Sequence, residues 1–396
     1  MRVDRTGHDP RTGPMGECLV MGVVALRMDI VIVGGGIIGT AIAARLGETE
    51  HDVTLLERAR IGDETTAASA GVLMQSGIAP TSFDARFRKR SESAYRRLFD
   101  RGPLEADRIG TLYVAETTAF ADRLEESAAT LREHGVEASF LVAAELPQLG
   151  VEPDGAVGGL YTPNDRVCDP TAVATWFAAC ARRGGVDVRT GVTVTGVSTR
   201  ERDGTASVSA VETDEGTLPA DRVVNATGPW APELNETVGV SLPLSHTLGP
   251  MVALEGSDPV ACPMTIFESK RYVRPAGADG TGAWVGEYRT EYVAGQRYAP
   301  SECSVPTEFR ETATRVGTRV PALEGATVVD EWVGLRTVTP DGRPIVGETS
   351  VGGYVVACGM TGQGVTLAPA VADVVAGVLE GSGDDDARTV LSPDRF

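Results

Sequence analysis

Residues 29–57, DIVIVGGGIIGTAIAARLGETEHDVTLLE, decide the fold. Asp29 to Val33 is a short apolar run of the kind that forms a buried parallel strand. It leads straight into Gly34-x-Gly36-x-x-Gly39, after which Ile42, Ala43 and Leu46 recur at helical spacing. Val53 to Leu56 reads as a second strand, closed by Glu57. Strand, glycine turn, helix and strand in this order form a unit that grips a dinucleotide. Gly34 permits the tight turn, and Gly36 lets the backbone approach a pyrophosphate at the helix N-terminus. Gly39 lets the helix pack on the strand. Glu57 can accept hydrogen bonds from ribose hydroxyls, and its charge disfavours a 2′-phosphate. A glycine-rich turn that binds nothing is the competing reading, and a lone GxGxxG would not exclude it. Both strands, the helix and the acid in register favour the dinucleotide. The motif does not separate NAD from FAD.

The chain has 396 residues, enough for two domains around sizeable cores. Its six cysteines (18, 168, 180, 262, 303 and 358) are scattered, with no CxxC, and it has only four histidines. No metal site or disulfide framework is expected, and a reducing cytoplasm is the expected compartment. No apolar stretch reaches the ~18 residues needed to span a bilayer. A net charge of −19 disfavours nucleic-acid partners, because no basic field is available. Lys89 and Lys270 are the only lysines; every other basic residue is arginine. Such an acidic, lysine-poor chain suggests a salt-loving, GC-rich source, against the plainer reading of an ordinary acidic protein from a GC-rich genome. In molar salt the Debye length is ~3 Å, so repulsion between surface carboxylates is screened. Folding and activity are therefore expected to need high salt. Residues 1–27 match nothing and are expected to be a disordered extension, or to reflect a start placed ahead of Met28. The apolar run from Cys18 to Leu26 follows Asp4, Asp9 and Glu17, which speaks against a secretory segment.

Beyond Glu57, the small-residue stretch Thr65 to Gly71 could approach a ligand closely. Helices are expected over 84–100, 117–134 and 171–183. The basic run Arg86 to Arg90 reads as a solvated helix face. Strand-like segments follow at 186–189, 192–198, 206–213 and 217–224. Short alternating runs at 250–254, 271–275 and 283–288 suggest an antiparallel sheet. A helix is expected over 307–319. Strand–loop–helix patterning then returns, with a helix from about Thr366 to Leu379 and a solvated acidic tail at Asp384–Asp386. The nucleotide-binding pieces lie at both ends and in the middle, so the nucleotide domain is discontinuous and a second, sheet-rich domain is inserted into it.

Three further segments bear on the cofactor. Asn225-Ala226-Thr227-Gly228-Pro229-Trp230 follows an apolar strand and can turn against a bound cofactor; a simple strand-to-loop turn is the alternative. Gly334-Leu335-Arg336 opens a segment that runs to Gly347. Cys358-Gly359-Met360-Thr361-Gly362-Gln363-Gly364-Val365-Thr366-Leu367-Ala368-Pro369 is a glycine-rich loop opening a helix. A helix N-terminus facing a flavin pyrimidine would stabilise negative charge on the reduced ring. An NAD enzyme has no need of it.

These segments, in this order, resemble the D-amino-acid oxidase superfamily of FAD-dependent oxidoreductases, which includes glycine oxidase, sarcosine oxidase and D-amino-acid dehydrogenase. The resemblance runs from Met28 to about Leu379. It implies an α/β fold: a Rossmann-like, discontinuous FAD-binding domain with an inserted α+β substrate domain built on an antiparallel sheet. The expected division is 28–105, 156–238 and 326–396 for the FAD-binding domain, and 106–155 with 239–325 for the substrate domain. The resemblance implies that FAD is held by Gly34, Gly36, Ile37, Ile38 and Gly39, with Glu57 and Arg58 at the ribose. Thr66, Ser69, Ala70, Gly71 and Val72 would lie along the flavin and its ribityl chain. Val194 would touch the adenine side, and Ala226, Thr227, Gly228 and Trp230 would line the cofactor. Gly362, Gln363, Gly364, Val365 and Thr366 would face the isoalloxazine.

Arg336 matches the arginine that grips a substrate carboxylate in glycine-oxidase-like members, and its planar fork suits that task. An arginine salt-bridged within the second domain is the competing reading. Tyr272 stands where the family often places a substrate-facing aromatic; a buried sheet tyrosine is the alternative. Lys270, the only lysine of the second domain, is a candidate for oxygen reactivity. Glycine oxidases often carry an arginine in the loop held here by Met360 to Gln363, so glycine itself is not implied. No histidine or cysteine stands in Thr65–Gly71, so non-covalent FAD is expected.

The implied reaction is hydride transfer from the α-carbon of an amino acid or N-alkyl amino acid to flavin N5. Oxygen, a quinone or another carrier would accept the electrons. A 2-hydroxy-acid dehydrogenase on the same scaffold, and an FAD-holding subunit of a larger assembly, are the alternatives. The particular substrate, the oxidase or dehydrogenase character and the oligomeric state stay open.

Overall fold

The computed structural model describes residues 27–75, 77–202, 204–276 and 280–396. Apart from Arg27, the expected N-terminal extension, with its apolar run from Cys18 to Leu26, lies outside the described residues.

Asp29–Val33 is the pivot of a six-stranded sheet. It pairs in parallel with Asp52–Glu57 on one side and Arg222–Asn225 on the other. Asp187–Thr190 extends the first edge and Tyr354–Cys358 the second, both parallel. Ile345–Glu348 closes the sheet as an antiparallel edge. Side chains alternate across the sheet because the strand period is two. Ile30 and Ile32 join one core beneath three helices, Ile37–Leu46, Pro170–Arg183 and Gly364–Glu380. Val31 and Val33 join a second core against the meander of Val194–Arg202, Thr205–Thr213 and Gly216–Pro219. With both faces covered, the central strands read as unbroken apolar runs.

The other large sheet has eight strands. Their order is Thr327–Val338, Ser245–Glu255, Gly282–Glu287, Arg271–Ala276, Met264–Phe267, Thr111–Ala115, Gly158–Thr162 and Ser139–Val142. All pairings are antiparallel except Met264–Phe267 with Thr111–Ala115. The sequence did not announce the three strands from 111 to 162, because Thr111–Ala115 is buried on both faces and shows no alternation. Gly158–Thr162 and Thr327–Val338 hydrogen-bond in this sheet, although the expected boundaries at 156 and 326 would set them with the nucleotide domain.

One local expectation needs correction. The helix expected over 307–319 is an α-helix only over Thr307–Ala313, and Thr314–Thr318 tightens to a 3-10 turn. A Cβ on Gly317 would stand 2.8 Å from the Glu324 backbone, so the chain turns there rather than continuing. Asp384, Asp385 and Asp386 are exposed, as expected, and they also open a helix. Asp384 caps the helix Asp385–Leu391, whose Ala387 and Leu391 are buried one turn apart. Asp384 and Asp386 pair with Arg90 and Arg86.

Candidate active site

The glycine turn is built by close approach. Gly34 has φ +109°, and a Cβ there would lie 2.5 Å from the Ala226 carbonyl oxygen. A Cβ on Gly39 would lie 1.9 Å from the Gly34 carbonyl oxygen, so the helix seats directly on the turn. Gly36 differs: its Cβ would meet only the Thr66 hydroxyl, at 3.3 Å, and otherwise faces open cavity. The Thr66 hydroxyl accepts the Ile37 amide at 3.1 Å. No acidic side chain stands in the first helical turn, so the positive end of the dipole is left for a ligand. Glu57 accepts the Gly35 amide at 2.6 Å and the Ala59 amide at 2.8 Å, which fixes its carboxylate at the strand tip. Arg58 lies 4.1 Å over the Trp230 ring and pairs with Glu64.

Three loops converge on this turn. Asn225, fully buried, accepts from the Thr227 amide and hydroxyl through its Oδ1 and donates to the Ala231 carbonyl. That shapes the chain through Gly228, whose φ is +59° and whose absent Cβ would point into open space. The Ser69 hydroxyl accepts the Gly71 amide at 3.1 Å. Trp332 Nε1 donates to the Ala68 carbonyl, and the Thr65 hydroxyl to that of Leu335, tying this loop to the eight-stranded sheet. The Thr366 hydroxyl donates to the Val72 carbonyl and accepts the Met74 amide, tying it to the C-terminal helix. The N-cap residues of that helix and of the first, Gln363 and Gly36, make no side-chain cap. The result is one continuous cavity of about 870 Å³, running from Glu57 and Val194 to Arg336 and Tyr272. A dinucleotide fits this donor set: two helix N-termini without a cap from their own N-cap residues, an acid at the strand tip, and bare backbone at Gly36 and Gly228.

The far wall is one face of the eight-stranded sheet. A single register row crosses every strand: Phe140, Leu160, Tyr113, Ile266, Tyr272, Gly286, Met251, Trp332. Gly286 makes room in this row. A Cβ there would lie 2.4 Å from the Tyr272 hydroxyl, which instead donates to Met251 Sδ. Burial pushes the Tyr272 phenol up from its ordinary pKa, so it stays protonated near neutrality.

Arg336 lies two steps along the same face, past Gly334. Its guanidinium fills the space left by Gly249 and Gly362; Cβ atoms there would stand 2.1 and 3.2 Å from its nitrogens. Its Nη2 donates to the Glu287 carbonyl at 2.9 Å, and its Nε has no partner. No carboxylate pairs with it among the described residues. Burial lowers its pKa from the usual arginine value, yet a guanidinium starting so high remains charged. The competing reading, a structural salt bridge, does not hold.

The cavity wall includes Gly34, Gly36, Ile37, Ile38, Glu57, Arg58 and Thr66 of the first half of the expected set, with Ser69, Ala70, Val72 and Val194. Ala226 to Gly228, Trp230 and Gly362 to Thr366 line it too. Gly39 and Gly71 stand behind the wall. A Cβ on Gly71 would lie 2.2 Å from the Cys168 carbonyl oxygen, so its part is packing. Lys270 pairs with Glu291 outside the wall. Sequence reading missed Arg88. Thr81 and Asp84 cap the helix Ser82–Arg101 reciprocally, and this sets the helical phase. Arg86, Lys89 and Arg90 turn outward as expected, but Arg88 turns into the cavity and donates to the Met74 carbonyl and Gln363 Oε1. Its spacing of three from both Ala85 and Ser91, each buried, was the available sign.

Comparison with known proteins agrees with this geometry. The family model for FAD-dependent oxidoreductases (DAO) matches residues 29–378. The chain is 28% identical to a D-amino acid dehydrogenase of Methylobacterium nodulans, covering 93% of this chain and 99% of that one. Among solved structures, L-proline dehydrogenase from P. horikoshii superposes with a TM-score of 0.81 at 23% identity, covering 93% of this chain and 98% of the other. Glycine oxidase from Geobacillus kaustophilus gives 0.79 at 25%, covering 93% and 99%. With a paired-sheet architecture, a dinucleotide cradle and a family match over nearly its whole described length, the chain belongs to the DAO family of FAD-dependent oxidoreductases.

Proposed function

We propose that this protein oxidises an amino acid or N-alkyl amino acid, with the α-carboxylate held by Arg336. One observation carries the reading: a buried guanidinium faces the cavity with no acidic partner among the described residues, and its only protein acceptor is the Glu287 carbonyl on Nη2, which leaves Nε and Nη1 for a ligand. Bound FAD supplies the two-electron acceptor for a hydride leaving the α-carbon. Gly36, Ile37 and Ile38 would hold the pyrophosphate, Glu57 and Arg58 the adenosine ribose, Val194 the adenine side, and Gly362 to Thr366 the flavin ring.

Arg336 binds the carboxylate through two parallel N–H groups and so fixes where the α-carbon sits. Tyr272, kept neutral by burial, forms an aromatic wall beside it, and Met251, Met264 and Ile266 keep that wall dry. The imino acid formed is hydrolysed by water to an oxo acid and ammonia or an amine. FAD is proposed to be non-covalent. Burial pushes the thiols of Cys168 and Cys358 up to about 12, which leaves them protonated and unsuited to attack.

The test is anaerobic addition of amino acids, N-methyl amino acids and 2-hydroxy acids to the purified holoenzyme, reading the visible absorbance of the flavin. Amino acids are expected to bleach it. Bleaching by hydroxy acids alone would sink the reading. Readmission of air then separates an oxidase, which recolours, from a dehydrogenase, which needs a quinone or other carrier.

Sheet membership suggests a revised division: a cofactor part of 28–109, 163–238 and 339–396, and a substrate part of 110–162 and 239–338. We place the protein in a reducing, cytoplasmic compartment on the ground that its five described cysteines are free. No single described helix is long and apolar enough to cross a membrane. The net charge of −19 leads to a second expectation: activity should fall as salt is dialysed away and return when it is restored. Full activity in dilute buffer would refute the proposed adaptation to high salt.

A further inference from the structure

The charges of the cavity wall leave two guanidinium groups over. Four arginines line it: Arg58, Arg88, Arg336 and Arg343. Arg58 is held by Glu64 at 3.2 Å, and Arg343 by Asp84 at 3.4 Å. The other acids of the wall are also engaged. Asp63 pairs with Arg60, Glu233 with Arg297 and Asp341 with Arg395, while Glu57 takes two backbone amides. Arg336 and Arg88 pair with no carboxylate among the described residues. Glu92, one turn along from Arg88, is taken by Arg96 at 2.6 Å.

Arg88 touches only neutral acceptors, the Met74 carbonyl at 3.1 Å and Gln363 Oε1 at 2.5 Å. An arginine has five donors, so most of its fork is unused. The two unpaired groups are neighbours across one dipeptide. Arg336 Nη1 stands beside Gly362, and Arg88 Nη2 is bonded to Gln363. Gly77 borders the Arg88 guanidinium, where even a Cβ would stay 3.8 Å away, so the approach is open.

We infer that the substrate is an amino acid bearing a second carboxylate, with the α-carboxylate on Arg336 and the second on Arg88. The inference rests on the proposed role of Arg336. Two unpaired cations in a partly buried site repel each other and gain most from a ligand that brings two anions. A monocarboxylate would leave one of them unsatisfied. The rival assignment, Arg88 as a counter-charge to the cofactor, makes a different prediction.

The experiment titrates the holoenzyme with succinate and with butyrate, which share a chain length and differ by one carboxylate, and reads the shift in the flavin spectrum. The wild type is expected to bind succinate about 10- to 100-fold more tightly, the range of a charge-assisted hydrogen bond. Arg88→Met should bring the ratio close to one, and Arg88→Lys should restore part of it. The same ordering should appear in kcat/KM for aspartate against 2-aminobutyrate. A wild-type ratio near one overturns the inference whatever the variants do. So does a ratio that survives in Arg88→Met, or loss of bound FAD with the ratio intact, which would assign Arg88 to the cofactor. Failure of both ligands to bind would refute the Arg336 reading, and this inference with it. Butyrate binding without a preference for succinate would refute the inference alone.

Discussion

Replacing Arg336 with alanine is expected to lower kcat/KM for amino acids by about 10²- to 10⁴-fold. Each hydrogen bond from a charged donor to a carboxylate contributes about 1.5–3 kcal/mol, and a bidentate pair has two. At about 1.4 kcal/mol per factor of ten, the fork accounts for that range. Most of the loss should fall on KM, since the carboxylate is held equally in ground and transition states. A further drop in kcat would report lost orientation of the α-carbon. Arg336→Lys keeps the charge but not the fork, and should fall between the wild type and alanine. Gly249→Ala tests the same point without touching the charge. Its new Cβ would stand 2.1 Å from Arg336 Nη2, so the flexible guanidinium must swing away from the Glu287 carbonyl. A KM raised about 10-fold with flavin content preserved is the expected outcome. Unchanged KM values for both Arg336→Ala and Gly249→Ala would remove Arg336 from the substrate.

What could be read before folding depended on whether a feature was local. The unit from Asp29 to Glu57 was legible because strand, turn and helix are contiguous and each glycine has its own steric reason. The loop Gly359–Pro369 was legible for the same reason. Arg336 could be chosen because the motif around it is contiguous. Its lack of an acidic partner could not be seen, because that depends on Ser245–Glu255 and Gly282–Glu287 placing Gly249 and the Glu287 carbonyl beside it. Arg88 was hidden in a run of basic residues, where composition argued for solvent and only helical phase argued for the interior. Thr111–Ala115 was hidden because burial on both faces removes the alternation that marks a strand. The exposure of Asp384–Asp386 was legible from their charge, whereas the helix that Asp384 caps was not.

Gly39→Ala should be the most damaging conservative change in the cofactor half. In an exposed helix, alanine in place of glycine stabilises by about 1 kcal/mol. Here the new Cβ would stand 1.9 Å from the Gly34 carbonyl oxygen, 3.1 Å from its carbon and 3.4 Å from the Ala226 Cβ. Two of these atoms are backbone of the turn, so no rotamer change relieves the clash. Either the helix moves off the sheet or the turn opens. Overpacking of this kind costs about 1–3 kcal/mol or more, enough to reverse the helical gain. The turn that opens is also the one holding Gly36 beside the cavity, so FAD binding should fall with it. A ligand at 100 times its Kd adds about 2.7 kcal/mol, and that linkage is lost as well. The expected result is protein with little flavin whose Tm is reduced and no longer rises when FAD is added. Gly36→Ala separates the two causes. Its Cβ meets only the Thr66 hydroxyl, at 3.3 Å, so the apoprotein Tm should hold while FAD affinity drops. If Gly39→Ala instead retains flavin and Tm, the close seating of the first helix on the turn is not what keeps the cradle open.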